Sequence, residues 1–226
     1  SRHNCEYRAL NKYGKYVWVR CQGIVERNAD GSLGLFVGTM MNLGVNAKFD
    51  QPTGLYTFHE LKKQLPAFIS HGMEGAVLLF DVDRLQRIND ILGYLVGDEV
   101  LQRLGQKCQS MEGVISYRGP GGKFYCITTE KSESALDRIY REVQRFSEEV
   151  PREMNLEIQL TISCGVAFFP QDAEDFETLH ANVEYALEQA KKVGRGSIAQ
   201  FSGQMHRKTV EKFRLQEVLR ESVANN

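Results

Sequence analysis

No stretch of the 226-residue sequence approaches the roughly 18 consecutive apolar residues of a membrane-spanning helix; the strongest run is Gly75 to Phe80. No excess of one charge is present. The 28 basic and 29 acidic residues leave a net charge of −1, which excludes nucleic-acid binding through bulk basicity. Cysteine is scarce and odd in number, with five at positions 5, 21, 108, 126 and 164. None stands in C-x-x-C spacing, so neither a disulfide framework nor a cysteine zinc site is indicated. Cys108, Cys126 and Cys164 fall inside apolar patterns and read as small core residues. No basic-then-apolar leader opens the sequence, and a reducing cytoplasm is the expected compartment. Membrane spans in a longer chain, upstream of this segment, are compatible with that expectation. What remains is an ordinary globular composition, 42% hydrophobic and 25% charged.

Residues 1–46 read as strands alone. Tyr16 to Cys21 and Leu33 to Met41 are rich in β-branched and aromatic residues, with turn signals at Tyr13-Gly14-Lys15 and Asp30-Gly31. A three-stranded antiparallel meander is predicted. It has an apolar face and no helix to cover it, so the sequence is expected to start in mid-domain.

From residue 49 helices alternate with strands. Phe58, Leu61, Leu65 and Phe68 give an amphipathic helix that contains Pro66. Glu74 to Phe80 reads as a buried strand ending at Asp81. Leu85, Ile88, Leu92 and Leu95 form one apolar stripe, and Leu101, Leu104, Cys108 and Met111 another after a break at Gly97. Gly113 to Tyr117 and Phe124 to Thr129 form a hairpin around a glycine-rich turn. Leu136, Ile139, Val143 and Phe146 mark a helix, and Leu156 to Phe169 a long strand. Phe176, Leu179, Val183, Ala186, Ala190 and Val193 mark the last helix, stopped by Gly194, and Ser197 to Phe201 a closing strand. The order αβααββαβαβ predicts an α+β fold of the ferredoxin-like plan, with helices against a mainly antiparallel sheet. Residues 203–226 read as a charged connector helix, with Val210, Phe213 and Val218 as its few apolar positions.

Several residue sets can carry chemistry. Asp81-Val82-Asp83, at a strand end, can offer hard oxygen ligands to a divalent metal; the plainer alternative is that Asp83 caps the helix starting at Arg84. Asn89 and Asp98 can together read a guanine edge, or lie on a solvated face with Asp98 near a helix start. Gly119-Pro-Gly-Gly-Lys can approach a phosphate, although a tight turn needs glycine anyway. Lys191 and Arg195, four apart, can grip one phosphate or simply complement a helix dipole.

Order and spacing decide among these. Asp50-Gln-Pro-Thr-Gly-Leu, Phe80-Asp-Val-Asp-Arg-Leu-Gln-Arg-Ile-Asn-Asp, Gly93-Tyr-Leu-Val-Gly-Asp-Glu-Val-Leu, Arg118, Ser163-Cys-Gly-Val-Ala and Ala190-Lys-Lys-Val-Gly-Arg together resemble the GGDEF (diguanylate cyclase) family over residues 49–202. Residues 1–48 resemble the C-terminal half of a PAS domain. Residues 203–226 are similar to the helix that joins a GGDEF domain to an EAL phosphodiesterase domain.

The resemblance implies a nucleotidyl-cyclase palm fold and, in active members, two GTP-loaded subunits facing each other to make cyclic di-GMP. It places Asp81 and the Val82 carbonyl at the Mg²⁺ positions, with Asp83 at the second aspartate. It places Asn89 and Asp98 at the guanine-reading positions, and Lys191 and Arg195 at the phosphate positions. The signature itself departs. Gly-Gly-Asp-Glu-Phe aligns with Pro120-Gly121-Gly122-Lys123-Phe124, so Gly122 stands where a metal-binding acid is expected and Lys123 where the next acid is expected. A one-residue shift loses the carboxylate too. Neutral Gln86 stands where the family has a phosphate-binding lysine, and the R-x-x-D of the product-inhibition site reads Met111-Glu-Gly-Val114. Two-metal phosphoryl transfer needs anionic oxygens around the ions. One unit charge ~4 Å away is worth roughly 4 kcal/mol at an effective dielectric near 20. The expectation is a degenerate, cyclase-inactive domain with no catalytic residues. It would keep GTP as a ligand, aided by Lys123, and pass a PAS signal to an EAL domain in a homodimer. A surviving cyclase and a ligand-free dimerisation spacer are the alternatives.

Overall fold

Alternating side-chain direction explains the central strand. In β5 (Gly75–Val82), Ala76, Leu78, Phe80 and Val82 point to one face and Val77 and Leu79 to the other, and all are buried. A strand covered on both faces reads as an unbroken apolar run rather than an alternating one. The computed structural model describes residues 2–10, 16–27, 33–42 and 48–203. It divides into two units, Ser1–Asp50 and Gln51–Asn226.

The first unit is the expected meander: β1 (Arg2–Leu10), β2 (Tyr16–Arg27) and β3 (Leu33–Asn42), antiparallel in that order. Cys5 lies opposite Cys21, which lies opposite Met40. Val19 is buried, whereas Ile24 and its cross-strand partner Val37 are exposed. The turns at Tyr13-Gly14-Lys15 and Asp30-Gly31 lie outside the described residues, as do the tail positions Val210, Phe213 and Val218.

The second unit is an α+β sandwich. Its elements are β4 (Tyr56–Thr57), α1 (Phe58–Ser70), β5, α2 (Leu85–Leu92), α3 (Tyr94–Ser110), β6 (Ile115–Arg118), β7 (Lys123–Thr128), α4 (Glu133–Glu153), β8 (Ile162–Phe169), α5 (Phe176–Val193) and β9 (Ile198–Gln200). The sheet order is β4-β6-β7-β5-β8-β9, with β4–β6 and β8–β9 parallel and the rest antiparallel. On one face Leu78 and Phe80 pack with Val100, Leu104, Ile139, Val143 and Ile162, from α3, α4 and β8. On the other, Val77 and Leu79 pack with Leu61 and Leu65 of α1 and Leu179 and Val183 of α5. Each of these fully buried side chains contributes about 1.5–3 kcal/mol. Cys108, Cys126 and Cys164 are buried, and burial pushes the Cys164 thiol up.

Four expectations need correction. The helix break falls at Gly93, not Gly97. Gly93 has φ 88°, a left-handed conformation open to glycine, and it both ends α2 and starts α3. Gly97 and Asp98 therefore lie inside α3, and Asp98 is not at a helix start. Leu95 and Val193 are on apolar stripes in sequence, yet are 82% and 85% exposed. The strand expected from Leu156 begins only at Ile162, because its partner β5 ends at Val82, directly opposite Ile162. Finally, Asp83 does not cap α2. Arg84 occupies the cap position with φ 55° and ψ 34°, and no side chain caps it. Among the described residues no helix is long and apolar enough to cross a membrane.

Candidate functional site

Strand register brings the first part of the site together. Asp81 sits opposite Lys123 of β7 on one side and Ser163 of β8 on the other. It shares the face of Val77 and Leu79, the face α5 covers, so Lys191 in the last turn of α5 pairs with its carboxylate. Asp83, past the end of β5, is served by different partners. Its carboxylate accepts from Thr161 Oγ1 (2.9 Å), Ser163 Oγ (2.8 Å) and the Gly196 backbone N–H (3.1 Å). The residue is 6% exposed. Neutral dipoles thus hold this anion and stitch β5 to β8 and to the loop after α5.

The turn after β6 is fastened by Arg118. Its guanidinium donates to the carbonyls of Gly119 (2.5 Å), Lys123 (2.7 Å) and Gly121, and lies 4.7 Å from the centroid of Phe124. Gly121 takes φ 64°, which glycine adopts freely. The Gly122 carbonyl accepts from the Val82 N–H at 3.1 Å. A Cβ at position 122 would lie 3.0 Å from Asp81 Oδ1 and 3.2 Å from the Val82 carbonyl oxygen. A carboxylate carried there would converge with those two oxygens. Gly122 supplies none.

Lys123 is already engaged. Its ammonium lies 2.7 Å from both carboxylate oxygens of Glu184 on α5. Glu184 also accepts from the Tyr125 hydroxyl (3.2 Å), which is 2.9 Å from His180 Nε2. Burial first, then Glu184, raises the Tyr125 phenol well above its ordinary value. Burial lowers the His180 imidazole, with Glu184 opposing and Lys123 reinforcing the shift. The surroundings of Asp81 therefore hold two internal ion pairs, Asp81–Lys191 and Lys123–Glu184. Hard divalent cations take several oxygen ligands. Here one carboxylate is neutralised by an ammonium, the next residue with a carboxylate is spent on hydrogen bonds, and position 122 has no side chain. Among the described residues no group of three or more His, Cys, Asp or Glu could hold a metal ion. The donor set does not fit a pair of magnesium ions.

The other expected positions are distributed. The Asn89 amide oxygen is buried without a hydrogen-bond partner and faces Gly97, where a Cβ would sit 1.9 Å away. Asn89 thus lies against α3 at the residue preceding Asp98. Gln86 bonds Asp90 at 2.9 Å. Arg195 does not join Lys191 at Asp81; it lines a cavity of about 580 Å³ with Asp83 and Arg84. Glu184, Tyr125 and His180, and the Thr161 and Ser163 partners of Asp83, were not expected from the sequence. The His180–Glu184 spacing of four along a helix was the one visible hint.

A family model described as diguanylate cyclase, GGDEF domain, matches residues 47–197. The chain is 28% identical over 195 residues to the cyclic di-GMP phosphodiesterase NbdA of Pseudomonas aeruginosa, covering 80% of this chain and 24% of that protein. It is 25% identical over 159 residues to the diguanylate cyclase VdcA of Vibrio cholerae, covering 68% of this chain and 47% of that protein. It is also 25% identical over 189 residues to the cyclic di-GMP phosphodiesterase PdeR of Escherichia coli, covering 81% of this chain and 28% of that protein. The chain thus spans between about a quarter and a half of the length of these relatives. Among solved structures, a sensory box/GGDEF family protein from Caulobacter crescentus aligns with a TM-score of 0.53 and 28% identity, covering 66% of this chain and 100% of that one. The GGDEF domain of PA1120 (TpbB or YfiN) from Pseudomonas aeruginosa shares the fold, with a TM-score of 0.62 and 23% identity over 71% of this chain and 98% of that one. Sequence and fold agree, and this chain belongs to the GGDEF domain family.

Proposed function

We propose that this GGDEF domain makes no cyclic di-GMP and acts as a regulatory domain in cyclic di-GMP signalling, with GTP as its ligand. One observation carries the reading. Position 122, whose side chain would converge with Asp81 and the Val82 carbonyl, is glycine, and the neighbouring cations are protein ammoniums. Phosphoryl transfer through two metals lacks its anionic clamp there. The nucleotide-reading positions Asn89 and Asp98 retain their residue types. The triphosphate would compete with Asp81 for Lys191, while Lys123 stays on Glu184. In the proposed longer protein, a PAS unit at residues 1–48 sends its signal through residues 49–202 and the connector at 203–226 to an EAL domain. Homodimerisation and a GTP affinity that differs between two states would make this transmission allosteric. The phosphodiesterase names of NbdA and PdeR favour that assignment.

Incubation with GTP and Mg²⁺ followed by chromatography should give no cyclic di-GMP. Calorimetry should detect GTP binding with or without Mg²⁺, and no heat at millimolar GTP would remove the ligand role. The likeness to the cyclase VdcA favours a second reading, a surviving diguanylate cyclase. Clear turnover in the chromatographic assay would establish it and overturn the first.

A further inference from the structure

The 580 Å³ cavity beside Asp83 is a different place from the Asn89 position. At 3.6 residues per turn, Arg84, Arg87, Ile88 and Ile91 fall on one flank of α2, while Asn89 turns towards α3. Across the cavity stand Ile158 and Arg195, from the irregular segment before β8 and the loop after α5. Three arginines, all exposed, therefore line one cleft. None of the three has an ion-pair or side-chain hydrogen-bond partner among the described residues. Only two carboxylates line the same space. Asp83 is buried with its oxygens bonded to Thr161, Ser163 and Gly196, which leaves Glu157 as the exposed one.

A second feature points the same way. Arg84 is one of two non-glycine residues with positive φ among those described, at φ 55°. Such backbone costs on the order of 1 kcal/mol and persists where the surroundings impose it. It places a charged side chain on this flank at the point where α2 begins.

Guanidiniums bind phosphate bidentately and stack on planar rings. Isoleucines 88, 91 and 158 supply apolar walls. The volume falls within the roughly 300–1,000 Å³ of small-molecule sites. We infer that this cleft is a second ligand site, which takes a phosphorylated small molecule of nucleotide size with a planar body. Its phosphates would lie on Arg84, Arg87 and Arg195 and its planar part against the isoleucines. The inference stands apart from the GTP reading, with Arg195 as the one residue shared.

The test uses ADP as probe and the side-chain Nε–Hε resonances of the arginines in the whole chain. Saturable shifts of Arg84 and Arg87 at sub-millimolar ADP are expected. Arg84→Ala with Arg87→Ala should weaken binding by about tenfold or more, and Arg87→Gln alone should weaken it by less. Asn89→Ala, which alters the guanine-reading position, should leave these shifts in place. Absence of saturable shifts, or affinity unchanged in the double variant while its unfolding curve matches the parent, would overturn the site. Loss of the shifts in Asn89→Ala would assign ADP to the Asn89 position instead and overturn it as well. Inorganic pyrophosphate should bind more weakly than ADP; equal affinity would refute the planar-ligand assignment.

Discussion

Asp81 and Asp83 stand two residues apart at the end of one strand, and they are neutralised in opposite ways. Asp83 is held by two hydroxyls and a backbone N–H, all neutral and all fixed by the fold. Asp81 is held by the ammonium of Lys191, at the end of a flexible side chain from another helix. An anion satisfied by fixed dipoles is part of the scaffold, and removing it leaves its donors, the buried Ser163 hydroxyl among them, without that acceptor. An anion satisfied by a mobile cation can lose that cation to a stronger partner such as a phosphate. The contrast extends to the facing turn, where Gly122 leaves open the place a further carboxylate would fill and Lys123 folds back onto Glu184.

The sharpest way to break the comparison is to rebuild the anionic cradle. Pro120→Gly, Gly122→Asp and Lys123→Glu restore the signature, Gln86→Lys restores a lysine at the phosphate position, and Glu184→Gln removes the acid that would then face the new carboxylate. Asp81 Oδ1 must yield a few tenths of an ångström to admit the side chain at position 122, since its Cβ would lie at 3.0 Å. Several kcal/mol of recovered electrostatic stabilisation should bring cyclic di-GMP synthesis from undetectable to measurable by chromatography. Continued silence of a folded variant that binds GTP would mean that more than the missing acids blocks the reaction.

Stability comes next. Asp83→Ala should cost about 3 kcal/mol in urea unfolding, because charge-assisted bonds to three donors disappear together. Asp81→Ala should cost about 1 kcal/mol or less, since Lys191 can turn to water. Equal losses would erase the distinction between the two carboxylates. A smaller effect is expected on binding. Asp81→Asn frees Lys191 and should tighten metal-free GTP binding by about threefold to tenfold, measured calorimetrically with a chelator present. Weaker binding under those conditions would contradict the competition between Asp81 and phosphate.

The smallest effect is in pH dependence. His180 is held below its ordinary pKa, first by burial, with Glu184 and Glu177 opposing and Lys123 and Lys62 reinforcing the shift. The folded state thus takes up its proton later than the unfolded chain as pH falls. Stability from this group is intact above the unfolded value of about 6.5 and declines as pH drops through it, levelling off below the folded value. His180→Gln should flatten that part of a melting temperature against pH curve; an unchanged slope would assign the dependence to another group.

Much of this architecture was legible in residue order. Leu78, Phe80 and the strands around them are apolar enough to announce a doubly covered sheet, and Phe176 through Ala190 repeats at helical spacing. Other features were not. Sequence alone puts the helix break at Gly97, and only the folded backbone moves it: Gly93 takes a positive φ, whereas Gly97 lies inside α3 against the Asn89 side chain. The stretch from Leu156 had the alternation of a strand, but a strand needs a neighbour, and β5 stops opposite Ile162.

Periodicity suffices for the order of elements, and the resemblance of the chain's motifs to the GGDEF family for the family and the missing acid at Gly122, because each depends on residue identity and spacing along the chain. Which charges meet could come only from folding. Lys191 on Asp81, Lys123 on Glu184 and Arg195 beside Arg84 depend on strand register and on how α5 crosses the sheet, and partners 61 to 111 residues apart leave no signal in local sequence.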